Sequence, residues 1–461
     1  MNYTKDLINF IYNLNFDSLS KDTIVKTKEL ILDTIGVIYS GINSEQGKIW
    51  IDYIKNTYKK GYSYSPGLEE NIDVESASML NSALGHADDF DDLHSKSIVH
   101  PAVLTIPLAL AICEDLELSG KDLIVSIVSG YEIACRVGEA INPKSYYYWH
   151  TTGVVASLTA AIVSGKLMKL SEEELLNSVG TAGTQASGLW QFLEDNGMSK
   201  SVHVARGVSD GLFSSKISKF GLKGAYRILE GEKGLIKALS NLCNVDCLTH
   251  DLGKTFKIDE TSIKAYPCCR HTHSGIYAAL KIKNRIENLE SIASIKDYVY
   301  EPCFNITNKS SPTTDYDHKF SLQYCIAYAL LNGEINKKSF ENTNIKNKDL
   351  STLMSKIEII NDKEINERYN EHPNQWIHKL EIEFKNKDKL YEEIKYPYGD
   401  VRNYISNEDL VKKFRENTTG KLSLIQQDIM IDAIFSVENR KTFKGFFEQV
   451  LNQMWVNSNW L

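Results

Sequence analysis

The run His86-Ala87-Asp88-Asp89-Phe90-Asp91-Asp92, continuing through His94 to His100-Pro101, limits what this chain can fold into more than any other stretch. Four carboxylates and three imidazoles fall within fifteen positions. Such groups are costly to bury without a partner, a proton or a cation. A block of like charge ordinarily forms a solvated face or stays disordered. Here it is flanked by apolar helix-forming sequence, Ala77–Leu84 before it and Val103–Ile112 after it. Acid set between two buried elements marks a candidate site, against the plainer reading of a solvated loop at a helix end.

A chain of 461 residues can bury a large core and ordinarily divides into two or three domains. Its net charge of -8 and pI near 5.8 argue against nucleic acid or an anionic membrane as main partner. An anionic substrate would then need a local cationic pocket, so individual Lys, Arg and His residues matter. Met1-Asn2-Tyr3-Thr4-Lys5-Asp6 leads into a mixed polar helix rather than a targeting signal. Apolar runs such as Ile106–Cys113 are too short to span a bilayer. The eight cysteines lie mostly in apolar or helical contexts, and a chain this long needs no disulfide staples. A cytoplasmic location is the expectation.

To about Leu242 the pattern is helical. Val25–Ser40 places apolar residues at helical spacing and stops at Gly41. Ser119 with Asp122 and Ser171 with Glu174 read as capping boxes. Gly153, Ala156, Ser157, Ala160, Ala161, Ser164 and Gly165 mark a helix that neighbours can approach closely, central to a bundle. After about Lys254, Ile295–Tyr300, Lys356–Ile360, Lys379–Phe384 and Leu390–Lys395 alternate as short strands. Helices Ser274–Ile286 and Phe320–Leu331 fall among them, which suggests an α+β domain rather than a doubly wound sheet. Asn332–Leu350 reads as a surface excursion. Leu410–Glu416, Leu424–Phe435 and Phe443–Met454 return to helix and to the first domain.

Four further clusters could carry chemistry. His150, in Trp149-His150-Thr151-Thr152-Gly153, precedes the small-residue helix, where a helix N-terminus depresses an imidazole pKa; the plainer role is a cap or packing residue. Lys200, with His203 just after it, could bind a carboxylate or act as a base, or be a solvated loop lysine. Lys264-Ala265-Tyr266-Pro267-Cys268-Cys269-Arg270-His271-Thr272-His273 invites a zinc reading. The spacing is wrong for one, and Cys243 and Cys247, the only nearby pair, read as helix. Tyr324, in Lys319-Phe320-Ser321-Leu322-Gln323-Tyr324, could donate a proton or simply sit in the core. A rival reading takes Asp88–Asp92 as the DDxxD motif of a magnesium-dependent terpene-type enzyme, but the second metal motif it needs is not found.

Together these segments resemble the MmgE/PrpD family, whose members dehydrate 2-methylcitrate, decarboxylate cis-aconitate or epimerise iminodisuccinate. The resemblance runs in order over nearly the whole chain. It takes in Leu32-Asp33-Thr34-Ile35-Gly36, His86–Asp92 with His100-Pro101, His150, and Ala186-Ser187-Gly188-Leu189-Trp190-Gln191-Phe192. Lys200 and His203, Lys264 with Tyr266-Pro267 and His273, Phe320–Tyr324 and Leu410–Phe414 complete it.

The family implies a fold that is mainly α with α+β: a large all-helical domain formed by both chain ends (1–255 and 405–461) and an inserted smaller α+β lid (256–404). It also implies a homodimer, no metal and no organic cofactor. By the same resemblance, His100, His150, Lys200, Asp89 and Tyr324 would be catalytic. Lys264, Cys269, His273, Asp92 and His203 would bind a small anionic di- or tricarboxylate. Proton transfer next to a carboxylate is the implied chemistry, with the lid excluding water.

Three departures bear on the reaction. Cys269 stands where the decarboxylase branch has a histidine, Leu93 where it has a threonine, and the segment from Asp92 to His100 is one residue longer. Dehydration or epimerisation is therefore expected ahead of decarboxylation. The alternative is a non-catalytic dimeric binding or scaffold protein in which Cys269 marks a decayed site.

Overall fold

The helix Lys21–Gly41 begins at Ser20, whose hydroxyl accepts the Thr23 N–H at 3.0 Å, and it is buried almost all round. Its last residue must be a glycine because the helix Val74–Ala87 lies against it: a Cβ on Gly41 would meet Leu84 O at 2.1 Å. Ala102–Asp115 is apolar on every face, as befits a helix inside the bundle. The two capping boxes at Ser119 and Ser171 are formed, opening Gly120–Ile141 and Glu172–Gly183.

The small-residue helix Thr151–Leu167 packs against Lys200–Ser218 as its composition implies. Gly207 and Gly211 leave no room for a Cβ against Ala156 and Ser157, at 2.3 Å each. The computed structural model describes residues 2–142, 144–195, 197–240, 244–341 and 347–453. No helix among them is long and apolar enough to cross a membrane.

Two units result. One takes the described residues of Met1–Ile263 and Ser406–Leu461, and the other takes those of Lys264–Ile405. At 58% helix with one small four-stranded sheet, the chain is mainly α with some α+β.

In the first unit the helix Asn407–Thr418 lies on Lys21–Gly41. There Lys413 makes a buried ion pair with Asp33 at 2.6 Å and donates to the Phe90 carbonyl at 3.0 Å. Its ammonium stands 3.8 Å from the centre of the Phe90 ring. The helix Asn407–Thr418 thereby grips the acidic loop.

In the second unit the strand order is Ile357–Asn361, Ile292–Val299, His378–Phe384, Lys389–Ile394. The first pair is parallel, with Ile295 opposite Ile357; the others are antiparallel, with Ile382 between Ile295 and Leu390. The helix His273–Lys283 covers the sheet and packs on Leu322–Asn332. Between sheet and helix Asp297 holds His378 Nδ1 at 2.7 Å. Burial alone would lower the His378 pKa, but the Asp297 carboxylate raises it to about 10. His378 Nε2 lies 2.9 Å from the His271 carbonyl and fixes the start of the covering helix.

The four strands match the alternation, with ends shifted by at most three residues. Other readings are qualified or corrected. Asn332–Leu350 is mostly exposed in its described part, as a surface excursion would be, but it is anchored: Ile335, Ser339, Phe340 and Leu350 are buried, with the short turn Lys337–Phe340 folded onto Tyr324. Residues 342–346 lie outside the described residues.

Phe443–Met454 is helical only over Phe446–Leu451, since Gly445 takes a left-handed conformation at φ +58° and starts the helix late. Met454 lies outside the described residues. Cys247 sits in the 3-10 turn Val245–Leu248 rather than an α-helix, and Cys243 lies outside the described residues.

Replacing Lys413 with Met should strand the Asp33 carboxylate in the core and lower stability by about 3–5 kcal/mol. The double variant Asp33→Asn/Lys413→Met should regain much of that loss. Urea denaturation midpoints of the three proteins check both statements.

Candidate active site

The acidic loop is buried, and its four carboxylates divide by what they meet. Asp88 ends the helix Val74–Ala87 and accepts the Ser40 hydroxyl at 2.6 Å. Asp89 turns the chain through the left-handed region at φ +56°, which a short polar side chain tolerates. Phe90 then packs inward under Lys413.

Asp92 accepts the Tyr131 hydroxyl at 2.7 Å and the Ala102 N–H at 3.1 Å. It so supplies the N-terminal cap that Pro101 cannot give Ala102–Asp115. Burial holds the Asp92 carboxyl well above the usual carboxylate range. The outer two aspartates belong to the fold; Asp89 and Asp91 face the bases.

Asp91 stands between two imidazoles. Its Oδ2 lies 2.6 Å from His86 Nδ1 and 3.3 Å from His100 Nδ1. The His86 ring stacks on His150, with centres 5.5 Å apart and planes 16° apart, and meets His100 edge-on at 5.1 Å. His150 in turn approaches His203, Nδ1 to Nδ1, at 3.1 Å. Lys200 opens the helix Lys200–Ser218 and pairs with Asp89 at 2.7 Å. Four imidazoles, one ammonium and two carboxylates thus form a continuous cluster within the first unit.

Local sequence explains the placement. The His150 N–H donates to the Gly188 carbonyl at 2.8 Å, next to an isolated bridge between Trp149 and Leu189. Gly188 is at φ +124°, and a Cβ there would lie 3.2 Å from His203 Nδ1. At Gly153 a Cβ would come within 2.9 Å of the His203 Cβ. Both glycines therefore make room for His203. Trp190 leans on the His150 ring at 4.7 Å, and Phe192 on His203 at 5.6 Å.

Burial and neighbouring charge keep the rings of His150, His203 and His86 neutral. Burial drives the His150 pKa well below its usual value, and the nearby His86, Lys200, His203 and His100 push the same way. Burial, then His86 and Lys200, lower His203 to about 4. Burial lowers His86 too, against the pull of Asp91. The side chain of His150 makes no capping hydrogen bond at its helix start, so the capping role does not hold, and burial is the leading cause of its depressed pKa. The Nε2 atoms of His150 and His86 are buried without a hydrogen-bond partner among the described residues.

His100, His150, Lys200, Asp89 and His203 lie together in this cluster, whereas Asp92 points into the fold. His86 and Asp91 were legible only as members of the run. Their contact spans a helix end at five residues' separation, a spacing with no periodic signal.

The remaining candidates lie in the second unit. Lys264 is buried, and the Cys269 N–H donates to the Lys319 carbonyl at 3.0 Å. His273 begins its helix, with Nε2 3.3 Å from the Cys268 carbonyl. The Tyr324 hydroxyl donates to the Ser339 carbonyl, and its ring stacks on His318 at 4.2 Å.

Among the described residues, two groups have donor atoms close enough to share a cation. One atom each of His86, Asp91 and His100 lie within 4.8 Å of one another, but a proton already bridges His86 and Asp91. In the second group, His94, Glu139 and Glu260, the carboxylates are paired with Lys257 and Lys96. The DDxxD reading finds no support, since Asp88 and Asp92 are turned to Ser40 and Tyr131.

The family model described as the MmgE/PrpD N-terminal domain matches residues 5–247, and that of the MmgE/PrpD C-terminal domain matches residues 266–436. A cis-aconitate decarboxylase of Aspergillus terreus is 24% identical over 437 residues, covering 89% of this chain and 88% of the relative. A cis-aconitate decarboxylase of Homo sapiens is 24% identical, covering 95% and 92%. A 2-methylcitrate dehydratase of Salmonella typhi is 20% identical, covering 93% of each.

A histidine whose pKa is depressed on folding binds fewer protons folded than unfolded, so stability is lost as pH falls. For His203 that window runs from its ordinary value near 6.5 down to about 4. The melting temperature should fall across this range, and less steeply in His203→Asn. NMR titration should show the His203 ring still neutral at pH 5.5.

Proposed function

The chain belongs to the MmgE/PrpD family, and from that premise we propose that it is a cofactor-independent lyase or isomerase of a small di- or tricarboxylate, moving a proton next to a carboxylate. The observation that carries the reading is the buried Nε2 of His150, without a hydrogen-bond partner among the described residues, in a cluster that also holds the Lys200 ammonium. A neutral imidazole in a dry site is a base; an ammonium beside it binds a carboxylate and stabilises negative charge developing next to it.

In a dehydration the substrate C–H bond breaks, its proton goes to His150, and its electron pair forms the C=C bond. The C–O bond breaks, and the leaving oxygen takes a proton from His100, which Asp91 orients. In an epimerisation the carbanion is instead reprotonated on its other face. Cys269 and Leu93 favour these two outcomes over decarboxylation, although relatives named as decarboxylases match over most of the chain. For Lys264, Cys269, His273 and Tyr324 the family resemblance remains the ground for a role with substrate.

Purified, EDTA-treated protein incubated in D₂O with 2-methylcitrate, citrate, cis-aconitate and iminodisuccinate should give turnover or deuterium exchange, followed by NMR. The labelled carbon distinguishes dehydratase, epimerase and decarboxylase. Silence with every carboxylate would favour the non-catalytic alternative. Lys200→Ala and His150→Gln should each lose at least about 100-fold in kcat/KM with unchanged melting.

A homodimer is the proposed assembly. Val202, Phe213 and Phe220 leave an exposed apolar stripe along the helix Lys200–Ser218 and just past its end. Sedimentation at micromolar concentration should give twice the chain mass, and Phe213→Glu should give the chain mass.

A further inference from the structure

Two neutral imidazoles whose Nδ1 atoms lie 3.1 Å apart cannot both donate or both accept, so one proton sits between His150 and His203. If His203 donates, His150 must carry its own proton on Nε2. That atom is buried and has no hydrogen-bond partner among the described residues, and an orphaned buried N–H is rarer and costlier than an acceptor left without a donor. If His150 donates from Nδ1, its Nε2 is a bare lone pair and no buried N–H is orphaned. His203 is only half-buried and leaves no buried orphan nitrogen in either arrangement.

We propose that His203 is the positioning residue that fixes the tautomer of His150, accepting its Nδ1 proton so that Nε2 is the lone pair that takes the substrate proton. The inference rests on the reading of His150 as the base. When the substrate C–H bond breaks, its electron pair stays on carbon and its proton forms the new Nε2–H bond. The resulting imidazolium keeps its Nδ1–H on His203.

The groups facing His150 are His86 from one helix, His100 from the loop after the acidic run, and Lys200 and His203 from another helix, with Trp190 on its ring. The first three disfavour an imidazolium when charged, while Asp89 pairs with Lys200 and also acts on His86, and Asp91 lies against His86 and His100. A neutral acceptor at Nδ1 is then the group that directs the proton without making the base permanently charged. Gly153 and Gly188 set that acceptor in place, since a Cβ at either would crowd the His203 ring.

The test is the tautomer itself, read by long-range ¹H–¹⁵N correlation on the full chain labelled at histidine, with His150 assigned by its loss in His150→Gln. The expected spectrum shows His150 protonated at Nδ1 and bare at Nε2; a proton on Nε2 in the unaltered protein overturns the proposal. His203→Asn, whose amide oxygen can accept the same proton, should keep the tautomer and most of the activity. His203→Leu should lose the fixed tautomer, drop kcat about 100-fold with KM changed less than about twofold, and shift the acid limb of the pH profile.

If His203→Leu keeps both the tautomer and kcat, the proposal fails. If that variant does not fold, the spectrum of the unaltered protein and of His203→Asn still decides. Absence of any carbanion chemistry would sink the proposed function, while the spectrum would answer separately for the His150–His203 pair.

Discussion

The ion pair between Lys413 and Asp33, 2.6 Å apart in the core, is the contact on which the rest of the first unit depends. It ties a helix near the C-terminus to one near the N-terminus, and the same ammonium holds the Phe90 carbonyl in the middle of the acidic loop. A loop with four carboxylates is driven towards water unless its backbone and outer side chains are fastened inside. Lys413 fastens the middle, Ser40 one end, and Tyr131 with the Ala102 N–H the other. With Asp88 and Asp92 so occupied, Asp89 and Asp91 are left to meet Lys200 and the imidazoles.

That division sets the chemistry. Four imidazoles brought close in a dry region cannot all charge, because each cation would repel the next and lose its solvation. His150, His203 and His86 therefore stay neutral near pH 7, most firmly the first two. Neutral imidazole is the form that can take a proton from carbon. Asp91 keeps His86 and His100 oriented, Asp89 keeps Lys200 in reach, and two glycines let His203 come close enough to direct the His150 ring.

The second unit shows the same economy of buried charge in a different form. Asp297 and His378 lie on neighbouring antiparallel strands and pair beneath the covering helix, and His378 reaches the His271 carbonyl in the segment that carries Cys268, Cys269 and His273. Gly275 permits this, since a Cβ there would sit 3.1 Å from His378 Nδ1.

Sequence by itself determined the local structure wherever short-range physics decides it. Apolar spacing located most of the long helices, Ser-x-x-acid marked two capping boxes, small residues marked the tightly packed Thr151–Leu167, and alternation located the four strands of the sheet but not the short strand Lys60–Ser63. It also delivered most of the candidate cluster, because histidine, lysine and aspartate set in apolar sequence need partners wherever the chain places them. Tertiary structure alone decided which partner each one has. Nothing in the spacing of the acidic run separates Asp88 and Asp92, spent on the fold, from Asp89 and Asp91. Nor does it join Lys413 to Asp33 or His203 to His150. Those pairings span up to hundreds of residues and are selected by burial, where a charge is stable only beside a partner that the fold, not the neighbouring sequence, supplies.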